Sequence, residues 1–156
     1  MRHKIFSRPK LSQILKRLKS QRKKIAFTNG TFDLLHLGHV TYLEKARQTA
    51  DVLVVGVNSD KSVKSYKSPD RPINPQNDRM KVLAALECVD YVVLFEDPTP
   101  IHLILEFKPD VLVKGSDWKK SQIAGAREVE SWGGKVKRIR LVPNRSTTRL
   151  IEIINR

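Results

Sequence analysis

The run Thr28-Asn29-Gly30-Thr31-Phe32-Asp33-Leu34-Leu35-His36-Leu37-Gly38-His39 gathers groups that could handle a polyphosphate. His36 and His39 stand three positions apart across the entry to a helix, a spacing that lets two imidazoles face one ligand. Gly30 permits a tight turn at a strand end. Gly38 lets an anion approach a helix start, where unpaired N–H groups and the positive dipole end favour negative charge. Two imidazoles placed there could donate hydrogen bonds to charge that grows on phosphate oxygens as pyrophosphate leaves. The residues alone leave two other readings open. One is a metal-ligating histidine pair joined by Asp33, with no cysteine or further histidine nearby to complete a tetrahedral set; the other is a pair of structural caps.

Such groups need a scaffold, and the hydrophobic pattern supplies one. Apolar strands alternate with amphipathic helices, with no internal repeat and no low-complexity linker, which is the pattern of a parallel sheet covered on both faces. Strands are predicted at Lys24–Thr28, Val52–Val57, Tyr91–Phe95, Val111–Lys114 and Lys135–Leu141. Helices are predicted at Gly38–Thr49, Pro75–Cys88, Pro98–Phe107 and Ser121–Ser131, followed by a terminal helix capped by Ser146-Thr147-Thr148. In the terminal helix Leu150, Ile151, Ile153 and Ile154 are expected to pack on the sheet, and Ser59–Asn74 reads as a mobile loop. The fold class is α/β, a single Rossmann-like doubly wound parallel sheet of about five strands with helices on both faces. Right-handed crossovers place ligands at the carboxyl ends of the strands, so the loops after Thr28, Val57, Lys114 and Leu141 should converge.

Composition narrows the classes. With 156 residues the chain can bury a core as one domain, and its lone Cys88, set in an apolar helical stretch, excludes a disulfide framework or a cysteine-rich metal site within one chain. The absence of a long apolar run argues against a membrane span and for a soluble, cytoplasmic protein. Of the formal charge of +14, ten Lys or Arg fall in residues 1–24 (from Arg2 to Lys24) with no acid among them; subtracting these leaves +4 for residues 25–156. Residues 1–22 therefore read as a basic, helical arm ahead of a catalytic-looking domain at 23–156. Leu11, Ile14, Leu15 and Leu18 repeat at helical spacing, favouring an amphipathic helix docked on the domain over a tail that touches RNA or an anionic surface. A nucleic-acid-binding module is the competing class, and the lack of any aromatic-basic RNA motif counts against it.

At His36-Leu37-Gly38-His39 the chain resembles the cytidylyltransferase-like superfamily of nucleotidyltransferases, whose hallmark is a His-x-Gly-His signature after the first strand. A second family signature, a Ser/Thr-rich helix start, resembles Arg145-Ser146-Thr147-Thr148-Arg149. The resemblance implies that His36 and His39 stabilise the triphosphate during attack on its α-phosphorus and that Ser146, Thr147 and Thr148 hold the β and γ phosphates. Further runs, Asn58-Ser59-Asp60, Arg71-Pro72-Ile73-Asn74-Pro75 leading to Arg79, Val113-Lys114-Gly115-Ser116-Asp117-Trp118 and Ile123-Ala124-Gly125, are similar to the branch that adenylylates heptose 1-phosphate for lipopolysaccharide inner-core synthesis. Ser116 and Trp118 depart from that branch, and Asp117-Trp118 resembles the glycerol-3-phosphate cytidylyltransferases instead; an FAD synthetase of the same fold is a further alternative.

On this resemblance the catalytic residues are His36, His39 and Arg79. Nucleotide and phosphate contacts fall to Thr31, Phe32, Gly38, Lys45, Lys114, Gly115, Asp117, Ser146, Thr147 and Thr148. Asp33, Asn58, Asp60 and Arg71 are the candidates for the acceptor substrate. Mg2+ with ATP and a homodimer are implied, and no protein metal ligand is assigned.

Overall fold

The computed structural model describes residues 3–156, so Met1 and Arg2 at the start of the basic arm lie outside the described residues. The elements are α1 (Arg8–Ser20), β1 (Ile25–Gly30), α2 (Leu37–Arg47), β2 (Val52–Asn58), α3 (Asp60–Tyr66), α4 (Gln76–Ala85), β3 (Tyr91–Phe95), α5 (Ile101–Phe107), β4 (Val111–Gly115), α6 (Ala126–Ser131), β5 (Lys135–Ile139) and α7 (Thr147–Ile154). Five strands, all parallel, form one sheet in the order β3-β2-β1-β4-β5. The expected α/β doubly wound sheet is therefore the fold, and the order reverses between β1 and β4, where a crevice must open.

Two apolar layers hold the sheet. On one face Leu11 and Leu15 of α1, Leu103, Ile104 and Phe107 of α5, and Val129 of α6 pack against Phe27 and Val54. On the other, Leu43 and Ala46 of α2 and Met80 and Leu83 of α4 pack against Ala26, Leu53 and Val55. Every residue of β2 is buried, as a strand covered on both faces requires. The helix of the N-terminal arm belongs to this core, because Leu11 and Leu15 are 0% and 1% exposed. The segment before it closes the outer edge of β3: the Val92 amide donates to Lys4 O at 2.9 Å and the Phe6 amide to Val92 O at 3.1 Å. The opposite edge strand, β5, pairs with β4 alone and carries exposed Lys135, Lys137 and Arg138.

Three local expectations change. Part of the expected mobile loop is helix α3, capped by the Ser59 hydroxyl, which accepts from the Ser62 amide at 3.1 Å. The helix expected over Ser121–Ser131 is split, with a 3-10 turn at Lys120–Gln122 and α6 starting only after Gly125. Gly125 has φ +84°, and a Cβ there would meet Ile104 Cδ1 at 2.7 Å, so the chain turns where only glycine fits. The apolar face of α7 does not pack on the sheet: α7 buries no residue, and Ile153 and Ile154 stay 52% and 75% exposed.

Candidate active site

A cleft of about 340 Å³ opens where β1 and β4 end. The start of α2 forms one wall and the start of α7 the other, with Thr31, Phe32, His36, Gly38, His39, Lys114, Gly115, Asp117 and Ser146–Thr148 all on its lining. Residues far apart in the sequence are drawn together by the strand order. Thr147 Oγ1 donates to Leu34 O at 3.2 Å and ties the two helix starts to each other.

The α2 start is built by its own histidine. His36 is extended and its Nδ1 accepts from the Gly38 amide at 3.1 Å, so the imidazole caps the helix in place of a Ser or Asp side chain. A neutral ring that accepts through Nδ1 carries its proton on Nε2, which leaves an N–H donor for a ligand. The contact also explains Gly38, where a Cβ would lie 2.9 Å from the His36 ring and 3.2 Å from Arg145 Cβ. The His39 ring lies 3.9 Å, centroid to centroid, from that of His36 and 5.5 Å from that of Phe32, which occupies the left-handed region at φ 50°. His39 Nδ1 is buried without a hydrogen-bond partner.

Electrostatics point the same way. Burial, with help from the charges of His36 and Lys67, pushes His39 down to about 4, and burial together with Arg145 lowers His36. Burial also lowers Lys114 to about 8, opposed by Asp117. Burial raises the Tyr42 phenol, whose oxygen lies 2.8 Å from Thr28 Oγ1. The lining holds His36, His39, Lys67, Lys114 and Arg145 against the single acid Asp117. Such a surplus of donors and positive charge is met by a polyanion. At the α7 start Ser146 Oγ accepts from the Arg149 amide at 3.2 Å, while first-turn amides have no intrahelical partner and are open to phosphate.

Other residues singled out from the sequence land elsewhere on the same sheet edge, and Arg79 differs most from its expected role. Its side chain is fully buried, and its guanidinium donates to Thr31 O (2.6 Å), Asn58 O (2.8 Å), Asn74 O (3.0 Å) and Asp60 Oδ1 (2.8 Å). It does not line the cleft but clamps the loops after β1 and β2 to the α4 entry, so it is a positioning residue. Asp33 is likewise consumed, accepting from Arg71 Nε and from the Ile73 and Asn74 amides, each at 2.8 Å. Burial opposes its ionisation, but those donors outweigh burial and hold its carboxyl below the usual range. The segment expected to be mobile is thus pinned along residues 71–74. Lys45 is exposed on α2 and lies off the cleft lining.

A second cavity of about 510 Å³ adjoins the first. It shares Asn29, Gly30, Thr31, Lys114 and Trp118 with the cleft and extends past Asn58, Tyr66, Pro98–Pro100 and Gln122–Ala124. Asn58 is therefore the one acceptor-substrate candidate that reaches a cavity wall here. Sequence reasoning assigned no role to Asn29, Tyr42, Tyr66 or Arg145. Tyr42 follows His39 by three residues on one helical face, and Asn29 is a polar residue near the end of a buried strand; both signals were present. Tyr66, whose hydroxyl lies 2.5 Å from Thr31 Oγ1, had no local signal.

Comparison with known proteins fixes the family. The cytidylyltransferase-like profile matches residues 27–153. The chain belongs to the cytidylyltransferase-like family of nucleotidyltransferases. Within the family it is 54% identical over 144 residues to the bifunctional protein HldE of Methylobacillus flagellatus, covering 90% of this chain and 30% of that protein. It is 49% identical over 151 residues to HldE of Syntrophotalea carbinolica, covering 97% of this chain and 31% of that protein. The chain thus spans under a third of the length of these curated relatives. A lipopolysaccharide core biosynthesis protein from Thermoplasma volcanium is 29% identical with a TM-score of 0.62, covering 77% of this chain and 97% of that one. Among the described residues no helix is long and apolar enough to cross a membrane.

Proposed function

We propose that this chain transfers AMP from ATP to a sugar 1-phosphate, heptose 1-phosphate, giving ADP-heptose and pyrophosphate. The observation that carries the proposal is the shared wall: a cleft lined by donors and cations for a triphosphate abuts a cavity large enough for a sugar. The choice of heptose rests on the sequence resemblance given above and on the relative from lipopolysaccharide core biosynthesis.

In the proposed reaction an oxygen of the sugar phosphate forms a bond to the α-phosphorus of ATP, while the bond from that phosphorus to the bridging oxygen breaks and pyrophosphate leaves. A phosphate monoester has a second pKa of about 6, so it attacks as an anion and needs no protein base. Catalysis reduces to alignment and charge neutralisation. His36, through Nε2–H, and His39 donate to the oxygens that gain charge; the α7 start holds the terminal phosphates; Asp117 and Trp118 border the nucleoside. Among the described residues no three His, Cys, Asp or Glu stand close enough together to hold a metal ion, and Asp117 is the one carboxylate on the cleft lining. That donor set suits Mg2+ carried by the triphosphate and water, with Asp117 available to it, rather than an ion in a protein cage. When bound, the ion would neutralise charge on the departing pyrophosphate.

Pyrophosphate release, measured with ATP or CTP against heptose 1-phosphate or glycerol 3-phosphate, tests the proposal. Turnover confined to ATP and heptose 1-phosphate is expected. Turnover only with CTP and glycerol 3-phosphate would overturn the substrate and select the second reading, which the Asp117-Trp118 pair favours. The proposal includes a homodimer, checked by light scattering of the purified protein.

A further inference from the structure

The second cavity is nearly uncharged. Its walls offer the amides of Asn58 and Gln122, the hydroxyls of Tyr66 and Thr99, and the apolar surfaces of Pro98, Pro100 and Ile123, and among the described residues Lys114 is the only charged side chain on its lining. Arg71, the cation expected there from sequence, is tied to Asp33 with a side chain only 14% exposed. Lys114 is also on the lining of the donor-rich cleft, so one ammonium serves both cavities. It is held at that junction from two sides: Nζ donates to Asn29 O at 3.4 Å and lies 5.4 Å from the centroid of the Trp118 ring, where the face of the indole favours a cation.

An acceptor phosphate entering the uncharged cavity has one partner of opposite sign, and that partner stands on the wall shared with the triphosphate. We infer that Lys114 is the catalytic residue that captures the acceptor's phosphate and holds it against the α-phosphorus, while the neutral walls accept an uncharged polyol remainder. The inference rests on the proposed transfer to a phosphomonoester but not on the identity of the sugar. It differs from a purely nucleotide-binding role because Lys114 is the only charged group on the acceptor side. Sharing one ammonium between two polyanions means that the charge needed to bring them together is fixed in place before either arrives.

The ionisable groups facing this junction are Asp117 on the loop after β4, His36 at the start of α2, His39 and Tyr42 from α2, Lys67 and Arg145 across the cleft, and Tyr66 from α3. Burial puts Lys114 near 8 in the free protein, so its charge is present below that pH and lost above it. The acceptor's kcat/KM should fall as pH rises through about 8, since this parameter reports groups of the free enzyme. Lys67 is also lowered and could add to such a limb, so the pH profile needs a variant that separates them.

The experiment compares the wild type with Lys114→Met and Lys114→Arg. It measures ATP affinity by calorimetry with ATP alone, and the acceptor dependence of pyrophosphate release from pH 6 to 10 with [Mg2+] fixed. Lys114→Met should raise the acceptor KM or lower acceptor kcat/KM by about 10- to 100-fold, with a clearly smaller loss of ATP affinity, since the cleft keeps its other cations. Lys114→Arg, whose guanidinium keeps its proton throughout this range, should recover part of the loss and remove the share of the alkaline limb that Lys114 contributes. An unchanged acceptor KM in Lys114→Met, or a fall in ATP affinity as large as the acceptor effect, overturns the role of Lys114. The wild-type arm separates this from failure of the functional proposal. If the wild type uses another phosphomonoester, the same variants test Lys114 on that acceptor, and a wild type that transfers to none overturns both.

Discussion

Two polar clusters sit side by side at the carboxyl edge of this sheet, and they are opposites. Around Asp33 and Arg79 the charged groups are largely closed on the protein: Arg79 reaches four acceptors and Asp33 satisfies three donors, with Arg71 Nη2 the exception, buried without a partner. Around His36 and His39 the groups are left open, with His39 Nδ1 buried and unpartnered and the positive side chains outnumbering the one acid. Both clusters are conspicuous in the sequence for the same reason, since each concentrates charge near strand ends. Only a hydrogen-bond account tells the lock from the site. A satisfied group stabilises the scaffold, whereas an unsatisfied one is poised for something not yet bound.

The sharpest way to break that contrast is to cut the lock. Arg79→Ala leaves three backbone carbonyls and a carboxylate without their cation, and should destabilise the fold by about 3–5 kcal/mol, read by urea denaturation. Arg79→Lys should fail to restore most of this, because an ammonium cannot span the same fork. If Arg79→Ala instead folds with wild-type stability and loses turnover, Arg79 belongs to the open cluster. On the open side, His39→Ala should lower pyrophosphate release at least about a hundredfold, roughly 3 kcal/mol in the barrier, with the fold intact. A well-folded His39→Ala protein with normal turnover would sink the assignment.

Smaller effects separate the clusters by pH. Asp33 has a folded pKa below its unfolded value, so its contribution is present at neutral pH and disappears as pH falls through the folded value. Asp33→Asn should cost about 1–3 kcal/mol at pH 7 and show a shallower loss of stability in acid than the wild type. His39, at about 4 when folded against 6.5 as reference, takes up its proton more readily when unfolded. Stability should therefore drop as pH falls from 6.5 towards 4, less so in His39→Asn, with ATP opposing the drop; equal pH slopes in both proteins would remove His39 from the explanation. The least effect is expected at Lys45, which is exposed and off the cleft, so Lys45→Ala should change stability by less than about 0.5 kcal/mol and pyrophosphate release little. A large loss of turnover there would place Lys45 with the open cluster after all.

The sheet was legible in the sequence because parallel strands covered on both faces read as apolar runs, and Val52–Val57 is such a run. The helix starts at His36 and Ser146 were legible because capping and glycine placement leave local marks. What escaped was long-range pairing. Nothing near Arg79 announces that Thr31 and Asn58 supply its acceptors, and nothing near Asp33 announces the amides of Ile73 and Asn74. A Ser-, Lys- and Pro-rich stretch looks mobile until its distant anchor is known. The apolar face of α7 misled in the other direction, because periodicity reports which side of a helix is apolar and not whether anything covers it.

The sheet's two edges bear on how the molecule behaves in a crowd. The β3 edge is shut by the segment around Ile5, which takes up its backbone groups. Among the described residues nothing pairs with the outer β5 edge, and it is guarded by Lys135, Lys137 and Arg138. Strand-to-strand sticking between molecules therefore has one available face, and two such faces meet as like charges. That guard is electrostatic and extends over about 10 Å at 0.1 M salt, so concentrated salt weakens it while leaving the closed edge untouched.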